Sequence, residues 1–205
     1  MGYSFGKNEA WYFLEADTQA SIVYGYRPKR LEEAKQLAQE RRWEDLLDYK
    51  DVHQEDFVYI PAGTLHALRA GSIVYEVQQA TDVTFRLYDY GRRDAAGNQR
   101  ELHTEQALMC LLDQTCREVK ETKPTSLRNG AITITTFIKN DSFCIMRIDV
   151  QGAGEICAKG YLLASVIQGS GKTDDFVVAK GDHFFIPAGT TVQLEGCFSM
   201  MITCE

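Results

Sequence analysis

Glu55-Asp56-Phe57-Val58-Tyr59-Ile60-Pro61-Ala62-Gly63-Thr64 reappears further along the chain as Gly181-Asp182-His183-Phe184-Phe185-Ile186-Pro187-Ala188-Gly189-Thr190. Six of the ten positions are identical, and the two prolines stand 126 residues apart. Each copy reads as a tight turn at the acidic residue, followed by a short strand of aromatic and β-branched residues. The Pro-Ala-Gly corner then ends the strand, because proline withholds a backbone donor and glycine accepts positive φ. Two copies of one supersecondary unit imply two related halves. The copies part company just after the corner, where Thr64-Leu65-His66 in the first becomes Thr190-Thr191-Val192 in the second.

Outward from the first copy, Ala10–Ala16 and Ser21–Tyr26 read as strands separated by a polar turn at Asp17-Thr18-Gln19. The period then changes. From Arg30 to Tyr49 the apolar residues Leu31, Ala34, Leu37, Ala38, Trp43, Leu46 and Leu47 follow helical spacing, with Pro28 just ahead. This predicts a helical insert over about 29–49, its charged face in solvent. Strands are expected again at Asp56–Ile60, Ser72–Val77 and Val83–Tyr88, and a second helix over about 101–116. Arg117–Gly130, with Pro124, Asn129 and Gly130, reads as a linker. Beyond it the chain is almost all strand and turn. The expectation is a mainly β protein of two units, 1–120 and 130–205, the second a small barrel without a site.

The 205 residues are enough for a substantial core. No run approaches the roughly 20 apolar residues of a membrane-spanning helix, and the opening residues lack the basic start and apolar run of a secretory signal. The net charge of −7 lacks the basic bias of a nucleic-acid binder. The six cysteines form no Cys-x-x-Cys pair and sit mostly in apolar company, as reduced thiols of a cytoplasmic protein do.

The strand with its Pro-Ala-Gly corner resembles the second signature motif of cupins, whose fold is a jelly-roll barrel. Gly6–Tyr12, Pro61–Ala67, Gln78–Tyr90 and Arg100–His103, taken in order, resemble type I mannose-6-phosphate isomerases, especially the short forms of Gram-positive bacteria. The resemblance implies two cupin-like jelly-roll barrels with a helical insert in the first. It also implies a zinc-dependent aldose–ketose isomerase acting on a sugar phosphate. Within it Glu9, from a Lys-x-Glu motif, and His66, after Pro-Ala-Gly-Thr, correspond to two zinc ligands. Lys7 and Arg86 correspond to active-site cations, with Arg86 assisting proton transfer.

The family's other two zinc ligands come from an upstream Gln-x-His-Pro segment. No Gln-x-His occurs in this chain, and the remaining histidines, His53, His103 and His183, lack that company. His103 reads as a surface or helix-capping residue. On the strand pattern, Arg86 points away from Phe85 and Leu87, into the barrel. Three readings follow: part of a complete isomerase, a sugar-phosphate-binding cupin without turnover, or a subunit completed by a separate N-terminal chain. A first barrel short of strands also predicts exposed edges and self-association.

Overall fold

The computed structural model describes residues 6–113 and 123–204, and the chain divides into two compact units, Met1–Lys120 and Glu121–Glu205. In the first, strands β1 (Glu9–Ala16) and β2 (Ser21–Tyr26) precede two short helices, α1 (Leu31–Gln39) and α2 (Trp43–Leu46). Then come β3 (Leu47–Asp51), β4 (Phe57–Ile60), β5 (His66–Leu68), β6 (Ser72–Gln78) and helix α3 (Thr104–Cys110). These strands form two antiparallel sheets of three, ordered β4-β1-β6 and β3-β2-β5. Two apolar clusters fill the unit. Trp11, Phe13, Ile22, Val58 and Ile60 anchor one, while Tyr26, Ala34, Leu37, Leu46 and Leu108 anchor the other.

The helical insert is shorter than its periodicity predicts. In α1 Ala34, Leu37 and Ala38 are buried, and Glu32 and Glu33 in the first turn complement the helix dipole. Helix α1 then stops because Arg41 adopts a left-handed φ of 57°. The Arg41 N–H bonds the Ala38 carbonyl and the Arg42 N–H bonds the Leu37 carbonyl, the paired closure of a Schellman motif. Leu47 and Tyr49, read as helical, belong to strand β3 instead.

Two further expectations are corrected. Val83–Tyr88 is not a strand: it has no ladder partner among the described residues, and the backbone of Arg86 bonds His103 instead. Within the expected linker, Thr125–Asn129 forms a strand that pairs with Ile132–Thr136, because Gly130 (φ 58°) turns the chain back. Of the second helix, residues 104–110 are helical and 114–116 lie outside the described residues.

The second unit is one sheet built from β7 (Thr125–Asn129), β8 (Ile132–Lys139), β9 (Cys144–Cys157), β10 (Leu162–Thr173), β11 (Phe176–Ala179), β12 (His183–Ile186) and β13 (Thr191–Cys204). The order is β11-β10-β13-β9-β8-β7, with β12 also on β10. Its core, including Ile148, Val150, Leu194, Phe198, Met200 and Ile202, is continuous. Among the described residues, the ladders close none of these sheets on itself.

On β10, Gly169 stands opposite Phe198 of β13 with a φ of 74°. A side chain there would collide with the Cys197 carbonyl oxygen and the Phe198 backbone. Gly169→Ala is therefore expected to destabilise the second unit by about 2–4 kcal/mol. Urea unfolding followed by far-UV circular dichroism measures this, and a change below about 0.5 kcal/mol would contradict the close approach.

The repeated decapeptides have the same geometry. Glu55 and Gly181 both take positive φ, 71° and 100°, and Gly63 and Gly189 take 81° and 76°. Each aspartate caps its turn: Asp56 Oδ2 accepts from the His53 N–H, and Asp182 Oδ2 from the Ala179 N–H, both at 2.8 Å. After each corner a threonine N–H returns to the proline carbonyl, Thr64 to Pro61 and Thr190 to Pro187. The strand of each copy then pairs with an equivalent neighbour. Ile60 faces Glu9 across β4–β1, and Ile186 faces Leu162 across β12–β10.

Candidate active site

His66 opens β5 two residues past the Pro-Ala-Gly-Thr corner, and Glu9 opens β1 directly across the ladder from Ile60. The corner thus places the two side chains together, with Glu9 Oε2 3.7 Å from His66 Nε2. Lys7 comes in from the segment before β1, its Nζ 2.9 Å from Glu9 Oε1. All three line a cavity of about 460 Å3 that is walled by apolar residues such as Val83, Phe85 and Leu111.

The electrostatics follow from that geometry. The Glu9 side chain is only 6% exposed. Burial pushes its carboxyl up, but the His66 ring, then the Lys7 ammonium, outweigh it and hold the pKa down at about 2. Glu9 is therefore an anion at any physiological pH. Glu76, an exposed residue on β6, has a carboxyl that partial burial and then the Glu9 charge push above its ordinary value.

The His66 ring is oriented from both sides. Its Nδ1 lies 2.8 Å from the Thr64 carbonyl oxygen. A carbonyl can only accept, so Nδ1 donates to it, and Nε2 is the ring nitrogen that faces Glu9. Trp11 packs against the ring in a T-shaped contact, centroids 5.5 Å apart. A metal-binding histidine usually has its second nitrogen bonded in this way.

The donor chemistry of Glu9 and His66, one carboxylate oxygen and one imidazole nitrogen, suits zinc. It supplies half of a four-coordinate shell. Among the described residues no group of three histidine, cysteine, aspartate or glutamate side chains comes together.

Of the four residues singled out from the sequence, Lys7, Glu9 and His66 share one cavity and Arg86 does not line it. Arg86 lines an adjoining cavity of about 300 Å3, whose wall includes Thr64, Leu65, His66 and Phe85. The side chain is half-buried, and its Nη1 donates to the Glu101 carbonyl at 3.0 Å. Because this stretch is not a strand, strand alternation is not what sets the direction of the Arg86 side chain.

Sequence reasoning missed His103 and Asn8. His103 stands at the N-terminal boundary of α3 but makes no side-chain cap. Its Nδ1 accepts from the Arg86 N–H at 3.1 Å, while its own N–H donates to the Arg86 carbonyl at 2.7 Å. Asn8 sits between Lys7 and Glu9 and bonds to Ala62 and Gln79. Backbone partnerships of this kind have no signature in residue type or spacing.

In the second unit the corner is intact and the site is not. The positions that match Glu9 and His66 in register and in the repeat are Leu162 and Val192, both buried in the core cluster. His183 bonds Ser165 Oγ through Nδ1 at 2.8 Å.

A strand-dominated chain whose repeated corner places a histidine beside a buried carboxylate is a cupin-type protein. Residues 133–204 match the family model for the mannose-6-phosphate isomerase cupin domain. The mannose-6-phosphate isomerase of Streptococcus mutans is 34% identical over 187 residues, covering 89% of this chain and 58% of that protein. The crystal structure of the Bacillus subtilis mannose 6-phosphate isomerase superposes with a TM-score of 0.91 at 33% identity, over 98% of this chain and 65% of that one. A mannose 6-phosphate isomerase crystallised with zinc and yttrium shares the fold at a TM-score of 0.69 and 15% identity. The chain belongs to the mannose-6-phosphate isomerase family. It spans about three fifths of the length of the curated relatives it matches.

Proposed function

We propose that this chain carries the sugar-phosphate side of a zinc-dependent mannose-6-phosphate isomerase, interconverting mannose 6-phosphate and fructose 6-phosphate. The observation that carries the reading is the convergence of Lys7, Glu9 and His66 on one cavity in a chain of this family. In this reading the units are two cupin barrels, roughly 1–120 and 130–205, of which the first holds the site. Glu9 and His66 are two of the zinc ligands, and further donors come from outside the described residues.

The reaction moves a proton between adjacent sugar carbons through an enediol. A bound zinc ion supplies Lewis acidity, which disperses negative charge on the sugar oxygens. Glu9 contributes a fixed negative charge that does not change with protonation in the working pH range. His66, its Nδ1 proton committed to Thr64, offers Nε2 in one orientation. Lys7 delivers a cation to the same cavity, where a developing enediolate is stabilised by a nearby positive charge. Arg86, in the adjoining cavity, supplies a second cation for the phosphate or the enediolate. The apolar walls exclude water and strengthen each of these interactions.

A second reading, sugar-phosphate binding completed by another chain, is favoured by one observation. Among the described residues, strand β6 pairs with β1 along one edge and has no ladder partner on the other, and Ile73 on it is 54% exposed. An open edge of this kind accepts a strand from a second copy or a complementing chain. A coupled assay with mannose 6-phosphate, added zinc and a chelator control tests both readings. Chelator-sensitive turnover by the chain alone supports the first. Turnover only after adding a polypeptide with the remaining part of the Streptococcus mutans relative supports the second, and no turnover in either case, from folded protein, refutes the isomerase assignment.

A further inference from the structure

We infer that Asn8 is a positioning residue, a clasp that fastens the segment carrying Lys7 and Glu9 to the corner that carries His66. The inference rests on the site reading above. Glu9 and His66 sit at the starts of separate strands, in different three-stranded sheets: β1 in one and β5 in the other. No ladder joins β1 to β5: the Glu9–Ile60 pairing and the corner after it bring the two near each other, and the segment ahead of Glu9 is fastened to that corner separately.

Asn8 spans the gap with three bonds. Its side-chain Oδ1 accepts from the Ala62 N–H at 2.9 Å, directly inside the Pro-Ala-Gly corner. Its backbone N–H donates to Gln79 Oε1 at 2.9 Å, and its carbonyl accepts from the Gln79 N–H at 3.0 Å. One residue is therefore held to the corner on one side and to the end of β6 on the other. The flanking contact at Gly6 is equally close: a side chain there would collide with the Ala62 Cβ. The segment thus lies flush against the corner, and Lys7 and Glu9 are presented from a backbone with no freedom to slide relative to His66.

The acceptor on Asn8 is what ties it to Ala62. Asn8→Asp keeps an oxygen acceptor at the same position, whereas Asn8→Ala removes it. Gln79→Leu releases the same segment from the opposite side without touching Asn8, Glu9 or His66. In the clasp reading, Asn8→Ala and Gln79→Leu let Glu9 drift from His66 while the strands persist, and Asn8→Asp restores the pair.

Two measurements on the full 205-residue chain test this. In metal-free protein, the His66 imidazole resonances report how the ring sits against Glu9. They are expected to shift and broaden in Asn8→Ala and Gln79→Leu, and to return close to their original positions in Asn8→Asp, with far-UV circular dichroism unchanged. In a Co(II) titration followed by visible absorption, the first two variants are expected to bind about 10–100-fold more weakly, the range seen when support behind a ligand is lost. His66 resonances that superpose on those of the unaltered protein in both release variants would overturn the clasp. If the unaltered chain itself takes up no Co(II), that failure falls on the metal-site reading, and the resonances alone then decide the clasp.

Discussion

Replacing His66 with alanine is expected to abolish chelator-sensitive isomerase turnover, lowering kcat/KM by about 10³-fold or more in whichever preparation is active. That factor corresponds to roughly 4 kcal/mol of transition-state stabilisation. The size follows from what the ring contributes. With Glu9 it is a candidate ligand that lines the cavity, and the Thr64 carbonyl and Trp11 hold its ring in one orientation. Alanine also removes the partner that helps keep Glu9 ionised. The Co(II) absorption bands of the unaltered protein should disappear in the variant, a readout independent of turnover. Activity retained within tenfold, with its chelator sensitivity intact, would take His66 out of the site.

Glu9→Gln has the second large effect, and it reads out as stability. The carboxyl is held near 2 against an ordinary value of 4.5 in a side chain only 6% exposed. At 1.36 kcal/mol per decade this is worth roughly 3 kcal/mol at neutral pH. A folded-state pKa below the unfolded one means the contribution is complete above about 4.5. It fades as pH falls from there toward 2. The gap in unfolding free energy between the metal-free protein and Glu9→Gln should therefore be about 3 kcal/mol at pH 7 and close to nothing at pH 2. Both tryptophans, Trp11 and Trp43, lie in the first unit, so fluorescence during urea unfolding reports on that unit. A gap that stays constant between pH 7 and pH 2 would mean the carboxylate is not the source.

How much of this could be read from the sequence depended on where the information lies. The decapeptide repeat could be read because turn, strand and corner each demand particular residue types, and the structure reproduces it down to the aspartate caps. That His66, Glu9 and Lys7 share one cavity could be anticipated because they flank recognisable motifs. The end of α1 could not, since its closure uses a left-handed arginine where a glycine is the expected signal. The stretch Val83–Tyr88 has the composition of a strand, but a strand exists only where a partner backbone is available, and here His103 takes that place. Asn8 and His103 escaped for a related reason: they act through main-chain groups, which every residue possesses.

The two copies of the corner also act as an internal control on the meaning of the site. The same turn, caps and register in the second unit accommodate leucine and valine where the first unit has glutamate and histidine. The architecture is thus indifferent to charge at these two positions, and the apolar version spares the cost of taking a carboxylate out of water. The corner itself does not require glutamate and histidine at these two positions. Their chemistry answers to whatever enters the cavity.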